Sequence, residues 1–273
     1  ADMAVDERSR VQKAWMNDEV RVICATIAFG MGINKPDVRF VFHHSLPKSL
    51  EGYMQETGRA GRDGKKADVY LMYSYADKHK IDSMIEKSEG DDRSKAAQRQ
   101  QLLQMIAYAE NDLECRRKLM LAYFHEAFSA DKCNGTCDNC GSGRCVRCEK
   151  RDVTTLGQAM LSLVGNCRQR ITLPMVVDAA KGSLTKTVKS KGLNELPGFG
   201  AASDFKKPDI ERIIKTMLVE GYLAESFEVQ EQYGGVTGYL EVSQSSQALF
   251  AGQGRLEVPF ATAGRGSAHP GSL

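Results

Sequence analysis

Two stretches of this sequence place reactive side chains at spacings that chemistry uses. The first is KCNGTCDNC with the CVRC that follows. Cys133, Cys137, Cys140, Cys145 and Cys148 crowd into residues 133–148, and Cys115 precedes them. Thiolates from a helix and a nearby loop converge readily on a tetrahedral zinc ion. Cys115, Cys133, Cys137 and Cys140 form one candidate set, spaced C-x17-C-x3-C-x2-C; Cys137, Cys140, Cys145 and Cys148 form a second, more compact one. Either set closes a structural site without the open position a catalytic metal needs. The plain alternative, unrelated buried thiols, sits poorly with two C-x-x-C spacings in one short stretch.

The second stretch is YMQETGRAGRDG, residues 53–64, with Arg59 and Arg62 three apart in a segment that turns glycine-rich. Three residues is close to one helical turn, so both guanidinium groups can face one way. Such a fork fits carboxylates and phosphates. Taken alone, an arginine-rich turn is more often a solvated surface or a structural ion pair. Its neighbours favour an anion site, because they place it at the end of a sheet.

Those neighbours read as α/β. RVICATI (21–27) is β-branched and ends in a glycine turn, which predicts a buried strand; VRFVFHH (38–44) and ADVYLMYS (67–74) predict two more. Between the last two, Ser49 is placed to cap a helix running toward Arg59. Strands joined by crossovers predict a parallel sheet whose strand ends gather ligands. Residues 76–128 hold no proline and only Gly90, and LLQMIAYA and CRRKLMLAYFHEAF predict two helices around a short turn at Glu110–Asp112. TLGQAMLSLVGN, TLPMVVDAAKG and DIERIIKTMLVEGYL then predict three helices. SFEVQEQYGGVTGYLEV alternates about Gly234–Gly235, a hairpin signature. Three helices and a hairpin make a winged helix. The expected domains are residues 1–76 (part of a RecA-like α/β domain), 77–150 (helical and zinc-binding), 151–243 (winged helix) and 244–273, a small, polar tail expected to be disordered.

Composition limits the partners. A formal net charge of +2 excludes a uniformly basic coat but leaves room for a local patch. One lies at Arg168, Arg170, Lys181, Lys186, Lys189 and Lys191, opposed in that stretch by Asp178 alone. Ser203, Lys206 and Lys207 extend it to a helix start, where backbone N–H groups favour phosphate. No apolar run approaches the ~20 residues that span a membrane. With no signal peptide at the N-terminus and clustered cysteines, a reducing compartment is expected.

CATIAFGMGINKPDVRFVFHH followed by YMQETGRAGRDG closely resembles motifs V and VI of the RecQ family of DNA helicases. The resemblance runs through CRR…CDNC and the winged helix to about Val242. It implies an ATP-dependent 3′-to-5′ DNA helicase acting in repair, recombination and replication in the nucleus, with ATP and Mg²⁺ held between two RecA-like domains. It selects Cys115, Cys133, Cys137 and Cys140 as the zinc ligands. It makes Arg62 the arginine finger on the γ-phosphate, with Arg59 sharing the phosphate or bracing the loop. Gln55 and Gly58 match positions that couple nucleotide state, as does Asn34, where relatives commonly have Asp. Thr26, Gly30 and Gly32 match backbone contacts to DNA, and Tyr233 matches a hairpin aromatic that wedges open the duplex.

No G-x-x-x-x-G-K-[ST] loop and no Asp-Glu metal-binding box occur in the 273 residues. The chain is therefore expected to be a piece of a longer protein that supplies the first RecA-like domain, and to lack ATPase activity alone. Two other readings stand beside the helicase. One is a non-catalytic zinc and winged-helix DNA-binding module. The other is a related RNA helicase, which would lack the CRR…CDNC module.

Overall fold

The structure is a computed structural model, and it describes residues 3–27, 34–142, 148–230 and 235–262. The chain divides into two compact units, residues 1–77 and 78–273.

The first unit opens with α1, Val5–Met16, whose acidic first turn (Asp6, Glu7) suits the positive end of the helix dipole. Strands β1 (Phe40–His43) and β2 (Asp68–Leu71) pair in parallel, Phe40 opposite Asp68 and His43 opposite Leu71. The connection between them carries α2, Leu50–Thr57, and Ser49 caps it by accepting a hydrogen bond from the Gly52 N–H. This is the expected β-α-β unit. RVICATI is a correction: residues 21–27 form no strand, and Val22 and Ile27 are 55% and 69% exposed. Its residues have strand propensity, but a strand needs a neighbour for its N–H and C=O groups, and none lies beside it among the described residues. The chain is anchored just downstream. Lys35 is buried with its ammonium 2.7 Å from Asp18 and 3.0 Å from Asp37, over the Trp15 ring.

The second unit begins with helices. α3 (Ala76–Lys87) leads to α4 (Asp92–Glu110), capped by Asp91, and to α5 (Arg116–Tyr123). A 3-10 turn at Ala130–Cys133 and a single helical turn, α6 (Asp138–Gly141), complete the cysteine region. Strand β3 (Cys148–Asp152) precedes the winged helix, made of α7 (Thr154–Asn166), α8 (Leu173–Lys181), α9 (Lys186–Ser190) and α10 (Lys207–Val219). Strands β4 (Leu223–Gln230) and β5 (Gly235–Val242) form the antiparallel hairpin. The three long helices interleave their apolar faces. Met160, Leu163, Ile210, Ile213, Ile214 and Met217 are fully buried, as a helix period of 3.6 requires of one face. Among the described residues no helix is long and apolar enough to cross a membrane.

The expected disordered tail is the second correction. Residues 246–250 form α11 (Ser246–Phe250), and β6 (Glu257–Ala261) pairs antiparallel with β3. Leu249, Leu256 and Val258 are fully buried and Phe260 is 4% exposed. The alternation in LEVPFA is short and lies between Gly- and Ser-rich flanks, so bulk composition hides it. Leu256 fits because α7 has a glycine beneath it: a Cβ on Gly157 would lie 2.7 Å from the Leu256 side chain. Residues 263–273 lie outside the described residues.

Leu256→Ala should therefore cost the winged helix ~3 kcal/mol, the usual scale for opening a leucine-sized cavity in a core. Urea unfolding measures it. A loss below ~1 kcal/mol would mean that residues beyond 243 are not part of the fold.

Candidate functional site

The sulfurs of Cys115, Cys133, Cys137 and Cys140 lie within 4.8 Å of one another. Four thiolates at ~2.3 Å from a zinc ion stand ~3.8 Å apart in a tetrahedron, so the donor set fits the metal. They arrive from three pieces of backbone. Cys115 caps α5, Cys133 ends the 3-10 turn, Cys137 caps α6, and Cys140 lies within α6. Asn134 takes the left-handed conformation (φ 50°) directly after Cys133, and the Cys140 N–H donates to the Cys137 sulfur at 3.4 Å. Burial raises the Cys115 thiol above its ordinary range. Burial also opposes ionisation of Cys133, but the Thr136 hydroxyl and the Cys137 N–H outweigh it and bring that thiol down to about 6.

The surrounding contacts explain the CRR…CDNC pattern. Arg116 donates two bonds to Asp138, each 3.0 Å, and also bonds the Tyr108 and Ala109 carbonyls at the end of α4. Asn139, fully buried, donates to the carbonyls of Asn111 (3.0 Å) and Glu114 (2.7 Å). A ligand and its brace are thus adjacent on both sides: Cys115 beside Arg116, Cys137 beside Asp138, and Cys140 beside Asn139. Sequence reasoning named the four cysteines that gather here and missed the braces, although their spacing was visible. Cys148 opens β3 opposite Ala261, and Cys145 lies outside the described residues.

In the first unit, the GRAGRDG loop is fastened to the segment before β1. The Gly61 N–H donates to Val38 O and the Asp63 N–H to Pro36 O, both at 3.0 Å. Arg39 donates to Asp63 at 2.6 Å and to Lys66 O at 2.9 Å, and this pairing holds Asp63 below the usual carboxylate range. Gly61 has φ +64°, and a Cβ there would meet Lys65 O at 2.8 Å, so the turn needs glycine. Arg62 is exposed; it donates to Gly58 O at 3.3 Å and to Asn34 Oδ1 at 3.1 Å. The two motifs therefore meet at Arg62 and Asn34. Gly58 caps α2, Arg59 follows half-buried, and Gln55 and Thr26 are exposed. Gly30 and Gly32 lie outside the described residues.

On the winged helix the basic residues divide into two groups. Lys181 caps the Ser203 and Phe205 carbonyls, Lys191 donates to Arg170 O at 3.0 Å, and Lys207 pairs with Asp178 at 2.6 Å. These hold the fold. Arg168, Lys186, Lys189, Ser203 and Lys206 are exposed, and Arg170 pairs with Glu228 at 3.0 Å over the Tyr239 ring. A shallow groove of about 380 Å³ runs beside Arg168, Gln169, Arg170 and Tyr239. Tyr233 lies outside the described residues.

Comparison with known proteins bears on all three regions. Residues 1–64 match the helicase conserved C-terminal domain, residues 75–141 match the RecQ zinc-binding domain, and residues 147–266 match the RQC domain. The chain is 39% identical to ATP-dependent DNA helicase Q-like 4B of Arabidopsis thaliana, over 91% of this chain and 23% of that protein. It is 39% identical to ATP-dependent helicase SGS1 of Saccharomyces cerevisiae, over 95% of this chain and 18% of that one. The RecQ-like DNA helicase BLM of Xenopus laevis is 36% identical, over 95% of this chain and 20% of its own length. The chain thus spans about a fifth of these curated relatives.

The metal is testable directly. The purified chain should carry one zinc per molecule, and Cys115→Ser should lose it, while Cys148→Ser should keep it. Chelation should release the cysteine region from its fold, because the binding energy of such a site is folding energy. Metal analysis with circular dichroism checks this, and full occupancy in Cys115→Ser would refute the ligand set.

Proposed function

The chain belongs to the RecQ family of DNA helicases, and from that premise we propose that it is the part of an ATP-dependent 3′-to-5′ DNA helicase that supplies the arginine finger, the zinc brace and the duplex-reading winged helix. The observation that carries this is Arg62, exposed at the junction of the two loops and oriented by Asn34 and Gly58 O. Both of those acceptors are uncharged oxygens, and they orient the guanidinium. Its charge would act on a γ-phosphate whose negative charge grows in the transition state. ATP and Mg²⁺ would be held by a first RecA-like domain, and Arg62 would complete that site. Arg59 braces the loop, and Gln55, Gly58 and Asn34 pass nucleotide state to it. Thr26, Gly30 and Gly32 would follow the single-strand backbone, since glycines admit close approach of an anion.

Zinc here is structural. Cys115, Cys133, Cys137 and Cys140 would hold it and take no part in hydrolysis. Arg168, Lys186, Lys189, Ser203 and Lys206 form the exposed surface suited to duplex phosphates, with Arg170 at its edge. Tyr233 would stack at the fork, where an aromatic is worth ~1–3 kcal/mol per base. Action in the nucleus, in repair and recombination, belongs to the same proposal. The second unit by itself, with its zinc cluster and winged helix together, supports a narrower reading as a DNA-binding module without a motor.

Two measurements separate these readings. In a protein that includes the nucleotide-binding domain, Arg62→Ala should cut DNA-stimulated ATPase by about 10³, the scale of an arginine finger, while nucleotide still binds. A loss under about tenfold would leave the chain as a binding module. Lys186→Ala with Lys189→Ala should weaken duplex binding and flatten the log–log salt dependence by about 2, one counterion for each lysine that no longer neutralises a phosphate. An unchanged slope would move the duplex surface elsewhere.

A further inference from the structure

Glu225 sits on the buried side of β4, where an apolar residue is expected. Leu223, two residues before it on the same face, is 2% exposed, and Leu240, opposite Glu225 on β5, is 3% exposed. A carboxylate in such a place carries a desolvation cost unless a cation meets it. Lys78 of α3 meets it. The Lys78 ammonium lies 2.7 Å from Glu225 and 2.7 Å from Asp82, one turn further along α3, and the three side chains are 3%, 7% and 4% exposed. Arg99 of α4 approaches Asp82 at 4.0 Å and pairs with Glu86 at 2.5 Å. A charge network therefore runs from α4 through α3, and the Lys78–Glu225 pair is the step at which it enters the hairpin.

We propose that Lys78 is a positioning residue for the wing: its buried pair with Glu225 fixes the direction in which the β4–β5 hairpin leaves the helices, and so where the wing meets a duplex. An apolar contact at this point would bury as much surface but would have no preferred direction. An ion pair ties one atom of α3 to one atom of β4, and a mispaired register would strand both charges in a dry site. This is the orientation-setting use of buried charge rather than a gain in stability. The consequence for binding rests on the duplex-reading role proposed above; the consequence for the hairpin does not.

Glu225→Gln isolates the tie. It keeps the size of the side chain and leaves Lys78 paired with Asp82, so no buried charge is stranded. Backbone hydrogen exchange is measured in the whole chain with zinc bound, alongside affinity for a labelled blunt DNA duplex at fixed salt. Amides of residues 223–230 and 235–242 should exchange about fivefold faster, with α4, α7 and α10 unchanged, because only the hairpin's local opening is eased. Duplex affinity should fall about fivefold as the wing samples other directions. Lys78→Met, which removes the ammonium between Glu225 and Asp82, should act more strongly in the same sense; if it folds poorly, Glu225→Gln decides alone. Hairpin exchange within about twofold of the parent would overturn the proposal. So would a uniform loss of protection across the unit, the mark of a merely structural role, or a loosened hairpin with unchanged duplex affinity. A parent chain that binds no duplex would refute the duplex-reading role, while the exchange data would still judge Lys78.

Discussion

Four sulfurs within 4.8 Å of one another cannot all ionise in a buried loop unless a cation stands among them, and that constraint organises the centre of the second unit. The loop after α5 has little else to hold it. Between residues 124 and 142, only Cys133 and Asn139 are buried, one a ligand and the other a brace. Such a segment cannot remove enough apolar surface from water to offset the entropy of ordering it. Metal coordination supplies the missing free energy, and the hydrogen bonds of Asn139 and Arg116 then fix which backbone each ligand comes from.

The same turn that receives the zinc loop also receives the winged helix. Glu110 and Asp112 pair with Lys215 and Arg212 of α10, at 2.7 and 3.0 Å. Between and beyond them, the Asn111 and Glu114 carbonyls accept from Asn139, Cys115 supplies a sulfur, and Arg116 binds Asp138. Residues 110–116 thus serve two partners in alternation. The Asn111 side chain keeps the turn in shape by accepting from the N–H groups of Leu113 and Glu114. Much of the joint between α4 and α10 is made of paired charge, and paired charge is a weak source of stability but a strong selector of geometry. The winged helix can rely on its own apolar core for stability, and the ion pairs set how α4 lies on it.

What the sequence disclosed follows from the range of the interactions. The Ser49 cap, the three long helices and the hairpin depend largely on nearby residues, and the β-α-β unit shows as two β-branched runs about a capped helix, so local pattern is enough to read them. A cysteine metal site was legible because thiols at such spacings have few other uses, while the spacing left two sets open and the resemblance chose the one with Cys115. Residues 21–27 misled for the opposite reason: strand propensity resides in the segment, but strand formation needs a partner. Residues 257–261 were missed because five alternating residues between Gly- and Ser-rich flanks carry little signal, and their partner β3 lies about a hundred residues away. Arg39–Asp63 and Lys78–Glu225 were invisible for a related reason. Charged residues are abundant and usually solvated, and only the fold reveals which of them are buried or matched.

The departure at Asn34 also gains a physical meaning. An aspartate at that position would meet Arg62 with a full opposite charge and hold it more tightly than a neutral acceptor does. Asparagine retains the oxygen acceptor, so the 3.1 Å contact and the orientation it gives survive. The substitution lowers the barrier to leaving as well, since a neutral hydrogen bond at an exposed site is weaker than one to a carboxylate. Orientation comes instead from the frame: Gly61 at positive φ, the Gly61 and Asp63 N–H groups on Val38 and Pro36, and the Arg39–Asp63 pair. Asp63, one residue from Arg62, pairs with Arg39, so one arginine holds the loop while the other donates to the neutral oxygens of Asn34 and Gly58. A fixed backbone frame and a neutral acceptor together orient the Arg62 guanidinium, through a weaker bond than a carboxylate would make.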